Sequence, residues 1–206
     1  MHSTGFLRHC EEACLPIFSR QYARHTGQRG IHVNDIVQTL HKVYASRMEF
    51  DISGGAVDLI LWRHAEAEDS MPDFERKLTP KGRRQAEKTA VFLHQHLPGH
   101  ARILVSPAVR TQQTATALTS RFTLAPTIAP GASADDVLRA ARWPDAGGAV
   151  LVVGHQPTLG EVASRLLGCD ECSLGIRKSA LWWFSRREHE GLGEITLRLV
   201  ITPDFL

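Results

Sequence analysis

Arginine and histidine recur in three short motifs of this 206-residue chain. The motifs are Arg63-His64-Ala65-Glu66, Ser106-Pro107-Ala108-Val109-Arg110 and Gly154-His155-Gln156-Pro157. A neutral imidazole carries a nitrogen lone pair that can attack phosphorus, and a guanidinium fork can bind two oxygens of a phosphate. Together these groups suffice for phosphoryl transfer, so the motifs indicate a phosphatase.

Each motif comes directly after a run of apolar residues that is typical of a buried strand. The runs are 57–62, 102–105 and 149–153. In an open α/β sheet, ligands bind beyond the carboxyl ends of the parallel strands. The spacing from His64 to Arg110 and from Arg110 to His155 is close to one βαβ unit each. The sequence therefore predicts that two arginines and two histidines meet at one edge of a sheet.

The residue types suggest a role for each candidate. His64 is the predicted nucleophile, and Arg63 and Arg110 are predicted to bind phosphate oxygens. His155 is predicted to donate to an oxygen or to the leaving group, and Gly154 to let the backbone approach the phosphate. Two guanidinium forks neutralise charge that a metal ion carries in many other enzymes, so no metal or cofactor is predicted.

The loop after His64 is rich in carboxylates, namely Glu66, Glu68, Asp69 and Asp73. One of them, Glu66 first, could supply a proton to the leaving group. The alternative is a solvated loop without a chemical role. Lys178 could similarly reach the rim of the pocket or simply be exposed.

Helix signals alternate with the strands. Thr79 is a predicted N-cap followed by Pro80, Ser133 begins a predicted capping box, and helices are expected from Pro107 and from Pro157. Two later apolar runs, 180–186 and 194–201, are predicted to form a hairpin at an edge of the sheet. The pattern predicts an α/β domain over 57–206, a three-layer α/β/α sandwich with a mostly parallel central sheet.

Residues 1–56 differ from the rest, because they hold five of the eleven histidines and no strand-like run. They are predicted to be an N-terminal extension. Asn34 could cap a docking helix with Ile36, Val37 and Leu40 on one face. Alternatively, the segment is a disordered tail, or Met48 is the true start of the protein.

Composition narrows the class of partner. A formal net charge of +2 argues against nucleic acid or an anionic membrane as the partner. No segment resembles a secretory signal or approaches the roughly 20 apolar residues that span a bilayer. We therefore expect a cytoplasmic protein whose four cysteines remain free thiols. Their spacing does not match a zinc finger or ribbon.

The motifs resemble those of the histidine phosphatase superfamily, which has the phosphoglycerate-mutase-like fold. The resemblance rests on the Arg-His motif at 63, Leu78-Thr79-Pro80-Lys81-Gly82, Ser106-Pro107 with Arg110, and Gly154-His155. With Pro130-Gly131-Ala132, the short domain is most similar to SixA-type phosphohistidine phosphatases. The resemblance implies a phosphohistidine intermediate on His64 in a pocket of Arg63, Arg110 and His155.

Two departures from the family pattern affect the expected activity. Ala65 stands where the family usually has glycine, which is tolerable if the backbone there has a negative φ. The segment 118–130 holds no acid, whereas mutase-like members carry a glutamate proton donor there. A phosphohistidine leaves as an imidazole from a weak P–N bond and needs less acid assistance than an alkoxide.

Three functions remain open from the sequence. The first is hydrolysis of phosphohistidine on a phosphorelay or phosphotransfer protein, which would be the partner. The second is hydrolysis of small phosphate esters with a carboxylate of the loop after His64 as the acid. The third is a phosphate-binding module that Ala65 has deprived of catalysis.

Overall fold

The computed structural model describes residues 56–169, 174–189 and 192–206. The strands are β1 Val57–Arg63, β2 Arg102–Val105, β3 Thr123–Leu124, β4 Gly148–Gly154, β5 Leu181–His189 and β6 Leu192–Ile201. The α-helices are α1 Pro80–His96, α2 Val109–Thr116, α3 Ala134–Ala141 and α4 Thr158–Leu166. Short 3-10 helices cover Asp73–Glu75, Pro126–Ile128 and Pro203–Phe205.

The strands form one six-stranded sheet in the order β3-β2-β4-β1-β5-β6. β3, β2, β4 and β1 pair in parallel, whereas β5 and β6 run antiparallel to their neighbours. The predicted α/β fold with a mostly parallel sheet is confirmed, and so is the late hairpin. The two-residue strand β3 was not predicted, because the Pro- and Gly-rich segment before Ser133 was interpreted as an irregular connection.

The register of the three central strands aligns the candidate motifs. Arg63 at the end of β1 pairs with Gly154 at the end of β4. On the other side of β4, Val105 of β2 pairs with Val153. The residues that follow these pairs, which are His64, His155 and Ser106, therefore leave the sheet at the same edge.

Helices cover both faces of the sheet. Leu59 and Leu61 of β1 belong to a buried cluster that includes Val137 of α3 and Val162 of α4. Successive side chains of a strand point to opposite faces, so the fully buried Trp62 lies on the other face. Its indole donates to the Ser179 hydroxyl, and Thr89 of α1 donates to the Ser179 carbonyl.

Local signals explain where the helices begin. The Thr79 hydroxyl accepts a hydrogen bond from Gly82 N, and Ser133 and Asp136 form a complete capping box, as predicted. The other two starts differ slightly from prediction. Helix α2 begins at Val109 with Ala108 as N-cap, and α4 begins at Thr158 with Pro157 as N-cap.

Apart from residue 56, the predicted extension lies outside the described residues, so its role and the domain boundary stay predictions. In the described part of the chain, no helix has the length and apolar character to cross a bilayer. Cys169 is disulfide-bonded. The expectation of free thiols is therefore wrong for this residue, since spacing along the chain does not reveal which sulfurs approach one another.

Candidate active site

The ends of β1, β4 and β2 bring the two histidines and Arg110 into one cluster. The backbone N–H of His64 donates to the carbonyl of Gly154 at 3.0 Å, which joins the two strand ends. The imidazole centroids of His64 and His155 are 5.3 Å apart. Arg110 Nη2 lies 3.4 Å from His155 Nδ1. Residues separated by 91 positions along the chain are thus neighbours.

His64 is held as a neutral ring in one tautomer. Its Nδ1 lies 2.8 Å from the carbonyl oxygen of Ala65, and because a carbonyl only accepts, Nδ1 carries the proton. The lone pair is therefore on Nε2. Burial, with the positive charges of Arg110 and Arg63, lowers the pKa of His64 to about 4, although the bond to Ala65 raises it. At pH 7 the ring is neutral and able to attack an electrophile.

His155 is fixed at both ring nitrogens. Its Nε2 lies 2.7 Å from Ser106 Oγ, and its Nδ1 faces the guanidinium of Arg110. A guanidinium only donates, so Nδ1 accepts and Nε2 carries the proton toward Ser106. Burial, followed by the neighbouring His64 and Arg110, lowers the pKa of His155 to about 3. This histidine is also neutral at pH 7.

Arg63 is anchored through a loop that sequence reasoning missed. Its Nη1 donates to the carbonyl of Ile176 at 2.7 Å. The Gln156 side-chain amide holds this loop by donating to Leu174 O and accepting from Ile176 N. A Cβ on Gly160 would lie 2.0 Å from Leu174 O, so only glycine lets α4 pack so close to the loop. Gln156 and Gly160 thus fix the loop whose Ile176 carbonyl orients the Arg63 guanidinium.

Arg110 is paired with Asp73, a second contact that the sequence did not indicate. Arg110 Nη1 donates to the backbone carbonyl of Asp73 at 2.6 Å, and Nη2 donates to Asp73 Oδ2 at 2.9 Å. Burial raises the pKa of Asp73, but the hydrogen bonds from Arg110 and Arg76 outweigh it, and the net pKa is lowered. Asp73 is therefore ionised at pH 7 and is a poor proton donor.

Both guanidinium groups keep unused donors. The Nε atoms of Arg63 and Arg110 are buried and find no hydrogen-bond partner within the described residues. A buried donor without a partner costs free energy, so such groups commonly mark the place of a ligand. Burial lowers the pKa of Arg63, but a guanidinium stays charged at pH 7. The arrangement suits a multiply charged anion.

Helix α2 supports the turn that contains His64. The Thr114 hydroxyl accepts from Ala65 N at 3.1 Å, and the Gln113 amide oxygen accepts from Leu78 N at 2.8 Å. Within the described residues, the non-glycine positions with positive φ are Arg142 and Ser179. Ala65 is thus free of left-handed strain, and its buried methyl group is accommodated.

The carboxylate of Glu66, the first candidate acid, lies beside Thr79, Lys81 and Lys178. Its carboxylate accepts from the Thr79 hydroxyl at 3.1 Å and lies 3.5 Å from Lys81 Nζ and 3.6 Å from Lys178 Nζ. The hydrogen bond from Thr79 lowers the pKa of Glu66, burial opposes this, and the two lysines lower it further. An ionised Glu66 argues against the predicted role as acid, which stays a prediction.

Gly154 lies where the sequence placed it, at the end of β4. A Cβ at this position would meet the Leu159 side chain at 3.3 Å, and its carbonyl accepts from His64. These contacts give the glycine a packing role. A direct approach of its backbone to phosphate stays a prediction. Within the described ranges, no group of three or more His, Cys, Asp or Glu side chains is placed to hold a metal ion.

Comparisons with known proteins show the family to which the chain belongs. Residues 59–133 match the model of the histidine phosphatase superfamily, branch 1. A structure provisionally described as a SixA phosphohistidine phosphatase from Nakamurella multipartitia is 30% identical, with a TM-score of 0.60. The match covers 72% of this chain and 97% of that chain. No curated protein sequence matches the chain.

Two further structures share the fold at lower identity. The protein histidine phosphatase SixA complexed with tungstate is 24% identical, with a TM-score of 0.60 and coverage of 72% of this chain and 98% of that one. A phosphoserine phosphatase mutant from Entamoeba histolytica is 16% identical, with a TM-score of 0.55 and coverage of 73% and 99%. The chain belongs to the histidine phosphatase superfamily, as its motifs predicted.

Proposed function

We propose that this protein is a phosphatase that removes phosphate through a covalent intermediate on His64, and that its substrate is phosphohistidine on a partner protein. The observation that supports this most strongly is the tautomer of His64. The bond from Nδ1 to the Ala65 carbonyl places the lone pair on Nε2, in a ring whose centroid lies 5.3 Å from that of His155. A nucleophile prepared in this way needs no separate base.

In the first step, the lone pair of His64 Nε2 forms a bond to phosphorus while the P–N bond of the substrate breaks. The substrate nitrogen keeps the bonding pair and takes a proton from solvent. Arg63 and Arg110 stabilise the charge on the equatorial oxygens of the transition state. The proton stays on Nδ1 and keeps its hydrogen bond to the carbonyl of Ala65, which disperses the positive charge that the ring acquires.

In the second step, water attacks phosphorus on the opposite side and the bond from phosphorus to Nε2 breaks. The electron pair returns to Nε2, the water proton returns to solvent, and inorganic phosphate is released. His155 is within reach of both steps, since its ring lies 5.3 Å from that of His64. A change of tautomer that places the proton on Nδ1 would let it donate to a phosphate oxygen.

The acidic groups around the site favour a substrate with a good leaving group. Glu66 and Asp73 both have lowered pKa values, so each is ionised at neutral pH. A sugar alkoxide requires a proton as it leaves, whereas an imidazole leaves more readily from its P–N bond. The likeness to the Nakamurella protein points the same way. The partner would be a phosphorelay or phosphotransfer protein, and the cytoplasm stays the predicted compartment.

The test compares two substrates on the full chain. A carrier protein phosphorylated on histidine and a sugar phosphate would be supplied separately, and phosphate release would be measured as kcat/KM. We expect a preference of about 10²-fold or more for the phosphohistidine protein, the size of a typical acid-catalysis contribution that this site lacks. Equal kcat/KM values for the two substrates would support the alternative function, hydrolysis of small phosphate esters. Tight phosphate binding without release from either substrate would support the binding module.

Trapping the intermediate tests the chemistry itself. Rapid acid-free quenching with labelled substrate should give a phosphoprotein whose label is lost in acid and retained in alkali, as expected for phosphohistidine. The label should map to His64. A label on another residue, or an acid-stable one, would contradict the mechanism.

A further inference from the structure

Asp73 places a carboxylate on the guanidinium that the proposed mechanism assigns to phosphate. The residue begins a 3-10 helix, Asp73–Glu75, in the loop between β1 and α1. Its Oδ2 accepts from Arg110 Nη2 at 2.9 Å, and its Oδ1 accepts from Arg76 Nη1 at 3.2 Å. A carboxylate shared by two arginines makes the same kind of charge-assisted bonds that a phosphate makes.

The two arginines differ in how far they can follow Asp73. The Arg110 side chain is 5% exposed and is also oriented by His155, so it stays at the base of the site. The Asp73 and Arg76 side chains are 44% and 26% exposed and belong to the same loop. The Asp73 carboxylate can therefore leave Arg110 Nη2 and keep its bond to Arg76, while the Asp73 backbone carbonyl keeps its bond to Arg110 Nη1.

The Asp73 carboxylate and a phosphoryl oxygen compete for the same atom, Arg110 Nη2. The carboxylate is negatively charged, and a dianion brought to the same guanidinium would repel it. An entering phosphoryl group thus needs Asp73 to move toward Arg76. When phosphate leaves, the carboxylate can return to Arg110.

We propose that Asp73 is an internal competitor for the oxyanion site, which lowers the affinity for oxyanions so that the phosphate product binds weakly. This inference rests on the proposed function, because it assigns the Arg110 fork to the phosphoryl group. The apparent association constant for an oxyanion equals the intrinsic constant multiplied by the fraction of molecules in which Arg110 is available. Its removal should therefore tighten binding of oxyanions.

The test measures tungstate binding to the full chain by isothermal titration calorimetry, with Asp73→Asn as the variant. Asparagine keeps the size of the side chain but removes its charge. We expect the Kd for tungstate to fall at least about fivefold. Asp69→Asn is the matched control: it removes the same charge from the same loop, Asp69 is fully exposed, and its carboxylate lies 3.9 Å from Arg76. It should change Kd less than about twofold.

Three results would overturn the inference: an unchanged Kd in Asp73→Asn, an equal change in the Asp69 control, or weaker binding. Weaker binding would mean that Asp73 positions Arg110 for the anion. A thermal unfolding midpoint confirms that each variant folds, and Asp73→Ser, which also removes the carboxylate, replaces the asparagine variant if it does not. Tungstate binding requires no turnover. Tighter tungstate binding in Asp73→Asn without phosphohistidine hydrolysis by the protein would therefore reject the proposed function alone. Phosphohistidine hydrolysis with an unchanged tungstate Kd in Asp73→Asn would reject this inference alone.

Discussion

The two histidines of the site lie at the ends of neighbouring parallel strands, yet the protein holds them in different ways. His64, after β1, is bound at Nδ1 by the carbonyl of the next residue. His155, after β4, is bound at Nε2 by the Ser106 hydroxyl and at Nδ1 by Arg110. One ring thus has a nitrogen free for attack, whereas the other has both nitrogens engaged by side chains.

Under the proposed mechanism, this difference lets one residue type serve two roles at a single site. A backbone carbonyl cannot donate a proton, so the tautomer of His64 is fixed. A hydroxyl can donate or accept, so the Ser106 contact at Nε2 permits either tautomer of His155, and the Arg110 donor at Nδ1 favours the proton on Nε2. Burial keeps both rings neutral, with pKa values lowered to about 4 and about 3. In the proposed mechanism, the hydrogen-bond partner and not the charge separates the nucleophile from the ring that donates to a phosphate oxygen.

Replacing the proposed nucleophile has the largest expected effect. His64→Ala removes the atom that accepts the phosphoryl group, so kcat should fall by at least about 10³-fold and no acid-labile label should form. Phosphate release and label incorporation would be measured on the same preparation. Retention of the label in this variant would assign the intermediate to another residue and break the comparison.

His155→Ala should separate the two roles. The loss of a hydrogen-bond donor to a phosphate oxygen is expected to lower kcat by about 10²- to 10³-fold, while labelled His64 still forms at a reduced rate. Rapid-quench labelling and steady-state kinetics provide the measurement. A complete loss of label, as in the His64 variant, would show that the two rings do not divide the chemistry in this way.

Ser106→Ala tests whether the hydroxyl controls His155. The variant keeps both histidines but removes the 2.7 Å contact to His155 Nε2, so kcat should fall by about tenfold with a smaller change in KM. Ser185→Ala is a matched control, because Ser185 is also buried but lies on β5 and its hydroxyl has no partner in the described structure. Equal kinetic losses in the two variants would exclude a specific role for Ser106.

The dependence of stability on pH gives the smallest effect. The lowered pKa values mean that the unfolded chain binds protons, as pH falls below about 6.5, that the folded chain does not bind. The stability present above this pH is therefore lost as pH falls toward 4. Each histidine contributes a slope of up to about 1.4 kcal/mol per pH unit. Denaturant unfolding between pH 7 and 4.5 should show a shallower slope in His155→Ala; an unchanged slope would contradict a buried neutral ring.

Much of the site could be predicted because its chemistry is tied to local signals. Apolar runs marked β1, β2 and β4, and polar motifs directly after them had to leave the sheet at one edge. The caps at Thr79 and Ser133 were visible for the same reason, since a cap involves residues three positions apart.

The contacts that aim the arginines could not be predicted, because each joins residues that are distant in sequence. Asp73 meets Arg110 across 37 positions, and Arg63 meets Ile176 across 113. Asp73 is one of five acidic residues in the loop between β1 and α1, and no composition signal separates a carboxylate on a buried guanidinium from its solvated neighbours. Gly160 carried no signal either, since its lack of a side chain matters only through the approach of Leu174.

Gly82 shows how far a defect can lie from the chemistry it damages. A Cβ at this position would lie 1.9 Å from the carbonyl oxygen of Glu66, where the first turn of α1 touches the loop after His64. Even a methyl group would clash with the Glu66 backbone and displace both the first turn of α1 and the loop after His64. In a screen of random mutants, alanine at position 82 would therefore score as inactive although it touches no phosphate, and it would be mistaken for a catalytic lesion.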